Sequence, residues 1–464
     1  MNWINCLDLW IIRFIKYVMR RFNRQFSQKP RLRDNDRDDR HSNWLGLLYD
    51  LVAIAVIFEL TRQLAIEYDW DELGRYGLLF LPLWWTWCDY NFYVARFDCG
   101  EIIQRLHAFS AMVGMAIMAF SVPFTFDAAD TIFATAYVST RSLTLIQYIR
   151  AGQAIPEASG LTGRLVQGYG IGLGTWLIGI AVPAPSSYIM WGIGLAIEFF
   201  TPISAGKGSV KFPANFAHLR ERFGIFTIVM MGAAVITTIQ SISLRRFFSL
   251  PETSIAAGLG LVFVLGIWWD YYESSRVIDP QKTQVSTQLR EFWLWTYSHL
   301  PLHASIPVIA VGFQEAIRTF PGNIIGFTTG WLLAGAVGVC MISLGLIWAA
   351  SPILAKRRAI SDAGAYFASA GVAIGCGLLS ERVIVPLYLF CLTGMFLIRV
   401  LTSDRDEYDG EEKRDKKRSD GSYSDKRDEK KDDKRNDKGD DRRDERRDDR
   451  RDDRKDDRRE TRYF

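Results

Sequence analysis

The chain changes from a basic segment to a long apolar run within the stretch Arg40-His41-Ser42-Asn43-Trp44-Leu45-Gly46-Leu47-Leu48-Tyr49-Asp50-Leu51-Val52. Further apolar runs follow, with only short breaks, until about residue 401. A helix needs about 20 apolar residues to cross the hydrocarbon core of a bilayer. The sequence therefore predicts an all-α, polytopic integral membrane protein with the lipid bilayer as a partner.

Charged and apolar residues are segregated along the chain. Charged residues make up 23% of the sequence and hydrophobic residues 49%, and the densest charge lies before residue 44 and after residue 402. The net charge of +4 is thus an average over unlike regions and says little about partners. We divide the chain into a basic amphipathic N-terminal segment, 1–43, two membrane-embedded halves, 44–203 and 204–401, and a charged cytoplasmic tail, 402–464.

Both ends of the chain have compositions suited to surroundings other than the hydrocarbon core. Apolar residues recur at steps of three and four from Ile4 to Val18, which predicts an amphipathic helix in the membrane interface. A cytosolic segment is the alternative there. The tail is rich in Asp, Arg, Lys and Glu, which predicts disorder, and its near balance of sign argues against nucleic-acid binding. The tail is either merely solvated or recruits partners.

Twelve membrane spans are predicted from the lengths of the apolar runs. They lie near 44–65, 74–95, 103–123, 129–149, 164–183, 186–203, 221–242, 253–272, 290–312, 326–349, 361–379 and 383–401. With the N-terminus inside, the cytoplasmic loops carry fourteen Lys or Arg residues, Arg222 among them, and the opposite loops carry five. Basic loops favour the cytoplasmic side. We therefore expect both termini in the cytoplasm, and the plasma membrane as the location.

A short motif recurs in the second half of the chain. Trp87-Cys88-Asp89-Tyr90, in the second predicted span, matches Trp268-Trp269-Asp270-Tyr271, in the eighth. Six spans separate the copies, and because six is even both copies share one orientation. This predicts two parallel six-helix repeats with a pathway at their interface. The alternative is that Trp and Tyr recur only as an aromatic belt at the membrane surface.

Several motifs together resemble those of a known family. They are the opening stretch Arg40–Val52, Trp84-Trp85-Thr86-Trp87, Arg96-Phe97-Asp98, His218–Phe226 and Ser298-His299-Leu300-Pro301-Leu302. The resemblance is to the bacterial low temperature requirement protein A family and covers roughly residues 38–400. It implies a multi-spanning membrane protein. Gly46 and Ala233 stand where acidic residues are common in that family, so ion chemistry at those acids is not implied here.

A set of polar residues inside the predicted spans is the candidate functional site. A charge at bilayer depth costs at least about 2.5 kcal/mol, so it usually faces the bundle interior with a partner. We predict one polar vestibule, in which Arg141 neutralises carboxylates, and a pathway that includes the histidines. The alternatives are buried pairs that fix helix register, and hydrated acids near the interface at Asp89 and Asp270. The candidates are Asp50, Asp89, His107, Arg141, Asp270, His299 and His303.

Three further polar features complete the prediction. Glu59 and Arg62 are three residues apart and are expected to form an outer ion pair along one helix face. Glu198 is expected either to meet Arg62 or to line an outer cavity. His299 and His303, four residues apart, have a spacing that suits a metal, but further ligands are missing from the sequence pattern. A proton relay, a substrate contact or a hydrogen-bonded core is favoured over a metal.

Two functions remain open at this stage. One is a permease-like secondary transporter of a small ion or solute, coupled to protons or ions through the buried carboxylates and histidines. The other is a non-transporting scaffold or sensor whose charged tail recruits partners. No nucleophile–base or metal constellation stands out, so an enzyme is not expected, nor a cofactor. A homo-oligomer is compatible with either function.

Overall fold

Long helices lie over all the predicted apolar intervals. The structure, a computed structural model, describes residues 29–33, 44–98, 101–126, 130–241, 251–276, 289–318, 323–350 and 356–401. Within these residues twelve helices of 17 or more residues occur: α1 (Trp44–Leu64), α2 (Trp70–Arg96), α3 (Glu101–Ser121), α4 (Asp130–Ala154), α5 (Ser159–Ala181), α6 (Ser186–Ser204), α7 (Phe216–Gln240), α8 (Pro251–Arg276), α9 (Leu289–Arg318), α10 (Phe327–Ala349), α11 (Lys356–Cys376) and α12 (Val385–Leu401). A six-residue helix, Gly206–Lys211, lies between α6 and α7.

The lengths and compositions of these helices support an integral membrane protein. Six segments are long and apolar enough to cross a membrane: Trp44–Leu64, Ile102–Phe124, Phe216–Gln240, Thr253–Tyr272, Leu289–Arg318 and Phe327–Ala349. Two further apolar segments, Ala363–Leu379 and Val385–Leu401, are shorter. The chain is thus an all-α membrane protein with several spans, and the total of twelve stays a prediction.

Side-chain caps set where two of the helices begin. Asp69 accepts a hydrogen bond from the amide of Glu72 at 2.8 Å and starts α2 four residues earlier than predicted. Asn215 accepts one from the amide of His218 at 2.9 Å and starts α7 five residues earlier. Arg222 lies inside α7 and is 1% exposed, so its inclusion among the loop residues was wrong. The predicted interval, 221–242, already contained it near one end, where it was taken for a loop residue.

The principal contacts between the halves involve four long helices. Within the first half α3, α4, α5 and α6 pack in sequence, and α1 packs on α3. In the second half α9, α10 and α11 pack in sequence, and α7 packs on α9. Contacts between the halves join α1 and α2 to α7 and α9. Polar residues on these four helices therefore lie where a path between the halves was expected.

A small strand pair and an isolated β-bridge between Ile324 and Ile384 are the β features within the described residues, and the all-α prediction did not foresee them. β1 (Arg31–Leu32) pairs antiparallel with β2 (Phe97–Asp98). The Arg31 Nε donates to Asp98 Oδ2 at 2.8 Å. Part of the N-terminal segment thus lies against the chain that leaves α2. The predicted amphipathic helix and the tail, 402–464, fall outside the described residues.

Candidate functional site

A cluster of three buried charges joins α2, α4 and α6. Arg141 of α4 forms an ion pair with Asp89 of α2 through Nη1. Its Nε and Nη2 atoms both lie 2.7 Å from Oε2 of Glu198 in α6. The three side chains are at most 1% exposed. Two carboxylates therefore share one guanidinium, which leaves one negative charge in excess when all three groups are ionised.

Tyrosine hydroxyls complete the surroundings of Asp89. Oδ1 of Asp89 accepts hydrogen bonds from Tyr148 at 3.1 Å and from Tyr169 at 2.9 Å. The guanidinium carbon of Arg141 lies 4.9 Å from the centre of the Tyr169 ring. A carboxylate with an ion pair and two hydrogen bonds is well compensated for burial. The charge of Asp89 is thus well compensated within the cluster.

Glu198 is less evenly satisfied. Oε2 of Glu198 accepts hydrogen bonds from Trp85 Nε1 and from the Tyr137 hydroxyl, each at 3.1 Å. Oε1 is buried and has no hydrogen-bond partner among the described residues. The close approach of α5 depends on Gly172, since a Cβ there would lie 2.6 Å from Cγ of Glu198. The free oxygen makes Glu198 the natural place in the cluster for a proton or cation.

A second ion pair joins the two halves. Nη1 of Arg222 in α7 lies 3.0 Å from Oδ2 of Asp50 in α1, and both side chains are 1% exposed. Oδ1 of Asp50 accepts a hydrogen bond from Trp87 Nε1 at 2.8 Å. Gly46 makes room for the guanidinium, because a Cβ at that position would lie 2.7 Å from its central carbon. This pair is charge-balanced.

The two histidines of α9 are buried and fully bonded. Nδ1 of His303 is 2.9 Å from Trp84 Nε1, and Nε2 is 2.8 Å from the Thr227 hydroxyl. An indole can only donate, so we assign the neutral His303 ring a proton on Nε2. His299 takes the opposite tautomer, since Nδ1 lies 2.7 Å from the Trp295 carbonyl and Nε2 lies 3.1 Å from the Tyr271 hydroxyl.

The remaining candidates lie in separate places. Nε2 of His107 is 3.2 Å from the Thr144 hydroxyl, and Nδ1 has no hydrogen-bond partner among the described residues. Asp270 of α8 lies beside Tyr366 of α11. The Tyr366 hydroxyl is 2.8 Å from Oδ1 of Asp270 and 2.7 Å from Oδ2.

Comparison with known proteins places the chain in a family. The profile of the bacterial low temperature requirement A protein family matches residues 41–400. The chain belongs to the bacterial low temperature requirement A family. A distant relative, an uncharacterized protein of Rhizobium meliloti (strain 1021), is 24% identical over an alignment of 331 residues that covers 68% of this chain and 79% of the relative. No solved structure matches the chain.

Four of the motifs on which the resemblance to the low temperature requirement A family depends meet at the boundary between the halves. They contribute Asp50 from α1, Trp87 from α2, Phe223 from α7 and His299 from α9. The ring of Phe223 lies 5.0 Å from that of Trp87 and 4.9 Å from that of His299. An aromatic layer therefore stands between the Asp50 ion pair and the histidines.

The structure corrects two predictions about the acids. Glu198 does not meet Arg62, because Glu198 is buried on Arg141 whereas Arg62 is exposed and lies 2.7 Å from Glu59. Asp89 and Asp270 are not hydrated interface residues, since both are 0% exposed.

Among the described residues, Asp89 and Arg141 are the two of the seven candidates that form an ion pair with each other. The rings of His299 and His303 lie 5.5 Å apart, and Asp50, His107 and Asp270 contact residues outside the candidate set. The sequence reading had also missed the pairing of Arg222, although its place in a family-like motif was a usable signal. The tyrosine partners carried no signal in the linear sequence.

Proposed function

We propose that this protein is a permease-like secondary transporter in which Glu198 binds and releases a proton or a small monovalent cation. The observation that carries the proposal is the excess negative charge of the cluster formed by Asp89, Arg141 and Glu198. An uncompensated charge in a medium of low dielectric constant is costly. Uptake of one positive charge at the free Glu198 oxygen removes that cost.

Occupancy of Glu198 would also change helix packing. Arg141 holds α2 through Asp89 and α6 through Glu198, so neutralising Glu198 weakens the attachment of α6 while Asp89 retains its partners. The next residue on α6, Phe199, accepts a hydrogen bond at its carbonyl from the Tyr297 hydroxyl of α9, at 2.5 Å. Movement of α6 would therefore change this hydrogen bond to α9 in the second half. This is the kind of link that a coupled transporter needs.

Infrared difference spectroscopy on the purified protein in lipid nanodiscs tests the charge exchange. Wild type should show a carboxylic-acid band that changes with bulk pH or with added Na⁺, and Glu198→Gln should lack it. Glu59→Gln is the matched control, because Glu59 is a partly exposed acid on α1 that lies outside the cluster. In proteoliposomes carrying a pH-sensitive dye, the Glu198 variant should lose solute-driven proton flux. A Glu198 carboxyl that responds to neither pH nor Na⁺ would refute the proposal.

The second candidate function is a non-transporting scaffold or sensor. It is favoured by the nearly complete burial of the ionised side chains of the cluster and of the Asp50–Arg222 pair. Such pairs can simply fix helix register. Under this alternative, Glu198→Gln changes thermal stability but not proton flux. Removal of the tail, 402–464, then abolishes whatever phenotype deletion of the whole protein abolishes in cells. The tail would then be the functional element.

We extend the proposal to the remaining properties. The protein is not an enzyme, its termini lie in the cytoplasm and its membrane is the plasma membrane. The charge asymmetry of the loops supports the orientation; without Arg222 the count is thirteen against five. Glycosylation acceptors placed at 68–71 should be modified and ones at 153–160 should not, and the opposite labelling would reverse the topology. Native mass spectrometry of the nanodisc sample reports whether a homo-oligomer forms.

A further inference from the structure

An apolar cavity lies in the first half, beside the charged cluster. Its volume is about 310 Å³, and residues of α2, α4, α5 and α6 form most of its wall. Its described lining carries no charged side chain. Six aromatic rings contribute to the lining: Phe126, Phe133, Trp176, Tyr188, Trp191 and Phe199. The size and the aromatic content suit a small organic ligand.

A second, polar pocket adjoins this cavity. Its volume is about 210 Å³, and Glu67, Glu72 and Arg75 line it. The Arg75 guanidinium lies 3.5 Å from the Glu72 carboxylate, so one acid is left in excess. Leu79 and Phe126 line both spaces. The two volumes are therefore adjacent, one apolar and one with a net negative charge.

The residue at the junction has an unusual backbone. Phe126 has a φ of 81°, a left-handed conformation that bulky residues rarely adopt. Its ring meets the Tyr188 ring edge-on at a centroid distance of 5.2 Å. Strained residues of this kind concentrate at ligand sites and switch regions. The strain lies at the point where the two volumes meet.

The far wall of the cavity touches the partners of Glu198. The ring of Phe199 lies 4.5 Å from that of Trp85, and the ring of Trp176 lies 4.2 Å from that of Tyr137. Trp85 and Tyr137 are the two residues that donate hydrogen bonds to Glu198 from outside the ion pair. Two rows of aromatic side chains, Phe199 and Trp176 followed by Trp85 and Tyr137, therefore separate a molecule in the cavity from Glu198.

We propose that the apolar cavity and the polar pocket form one binding site for an amphipathic organic cation. Its apolar body fills the aromatic cavity, and its cationic group lies in the polar pocket near Glu67 and Glu72. An aromatic cavity suits the apolar body, and the acids add charge complementarity for the cationic group. The inference rests on the proposed function for the role of this ligand as the transported solute. Binding itself is measured separately, at equilibrium and without a gradient.

Equilibrium dialysis of the full chain in nanodiscs tests the site with trimethyl(4-phenylbutyl)ammonium as the probe. The anion 4-phenylbutane-1-sulfonate has the same apolar body and is the matched ligand control. We expect the cation to bind at least about tenfold more tightly than the anion. Glu67→Gln together with Glu72→Gln should weaken the cation about fivefold to tenfold, the size expected for one or two exposed charge contacts, and should not weaken the anion.

A cavity-filling variant tests the apolar part. Gly192 lines the cavity, and a Cβ at that position has no atom within 4 Å, so Gly192→Leu should fill space without disturbing the helices. Gly174→Leu is the control, since Gly174 has equal room and does not line the cavity. Loss of cation binding in the Gly192 variant alone supports the site.

Three outcomes overturn the inference. They are equal affinities for the cation and the anion, wild-type binding in Gly192→Leu, and no binding of the cation by wild type. Binding of both probes equally through the cavity would identify an acyl-chain groove instead. None of these results bears on the infrared response of Glu198, so failure of the site and failure of the proposed function are distinguishable.

Discussion

The acid of the repeated motif, Asp89 in the first half and Asp270 in the second, has the same kind of tyrosine contact in both halves but different charged surroundings. Asp89 and Asp270 are both 0% exposed. Each accepts a hydrogen bond from a tyrosine on the fifth helix of its own half, Tyr169 in the first and Tyr366 in the second. The acid–tyrosine contact is therefore common to both. It supports the parallel repeat that the sequence predicts.

The surroundings of this contact differ in charge. An arginine lies over the tyrosine ring in each half, but Arg141 comes from the fourth helix and Arg399 from the sixth, with guanidinium–ring distances of 4.9 Å and 4.0 Å. In the first half the sixth helix supplies an acid instead, Glu198. Among the described residues, the surroundings of Asp89 thus carry two acids and one base, and those of Asp270 carry one of each. An excess charge of this kind suits a half that exchanges a proton or a cation.

The largest expected effect comes from removing the arginine of the first half. Arg141→Met leaves two buried carboxylates without their cation, and we expect a loss of about 3–5 kcal/mol in the free energy of unfolding. Arg399→Met should cost clearly less, because Asp270 keeps the hydroxyl of Tyr366. Denaturation in mixed micelles, followed by tryptophan fluorescence, measures both.

A compensated variant separates charge from packing in that experiment. Arg141→Met combined with Asp89→Asn and Glu198→Gln removes every charge of the cluster and should recover much of the lost stability. Equal losses for the Arg141 and Arg399 single variants would show that the two halves are not electrostatically different.

The next largest effect is expected at the tyrosines. Tyr366→Phe removes a hydroxyl that lies close to both oxygens of Asp270, and should cost about 1.5–3 kcal/mol, the range for hydrogen bonds to charged groups. Tyr169→Phe should cost less, since Asp89 keeps Arg141 and Tyr148. Thermal unfolding of the two variants side by side gives the ranking. A larger loss for Tyr169→Phe than for Tyr366→Phe would contradict this ranking.

A smaller effect is expected where the halves are joined. Gly46→Ala places a Cβ 2.7 Å from the guanidinium carbon of Arg222 and should cost about 1–2 kcal/mol as that side chain shifts away from Asp50. Gly224→Ala, where a Cβ has no neighbour within 4 Å, is the control and should be neutral or stabilising. If both alanine variants unfold at the wild-type temperature, the ion pair tolerates displacement and does not hold the halves together.

The smallest effect is expected at the exposed ion pair of α1. Glu59 and Arg62 form two hydrogen bonds, at 2.7 Å and 2.9 Å, but the Arg62 side chain is 51% exposed. Glu59→Gln should change the free energy of unfolding by less than about 0.5 kcal/mol, because water and salt screen such pairs. A loss comparable to that of Arg141→Met would mean that Glu59 is buried in the membrane-embedded protein.

Local features of the site were accessible from the sequence. The partnership of Glu59 and Arg62 follows from a spacing of three on one helix, and α1 begins and ends within one residue of its predicted interval. The buried arginine was correctly expected to neutralise carboxylates, because a charge in an apolar run needs a counter-charge. That Glu198 is the second partner of Arg141 could not be predicted from the sequence, since this pairing depends on how α6 packs against α4.

The sequence by itself determined the class of the protein, the approximate position of each long helix and several of the costly buried charges, among them Asp50, Asp89 and Arg141 but not Arg222. These follow from the length of apolar runs and from the free energy of desolvating a charge, which are properties of the residues themselves. Only the tertiary structure decided which charge meets which. Asp50 pairs with Arg222, and Arg141 bridges Asp89 and Glu198, across separations of 52 to 172 residues. Such pairings depend on helix rotation and on glycines such as Gly172 that let helices approach closely, and no linear spacing encodes them.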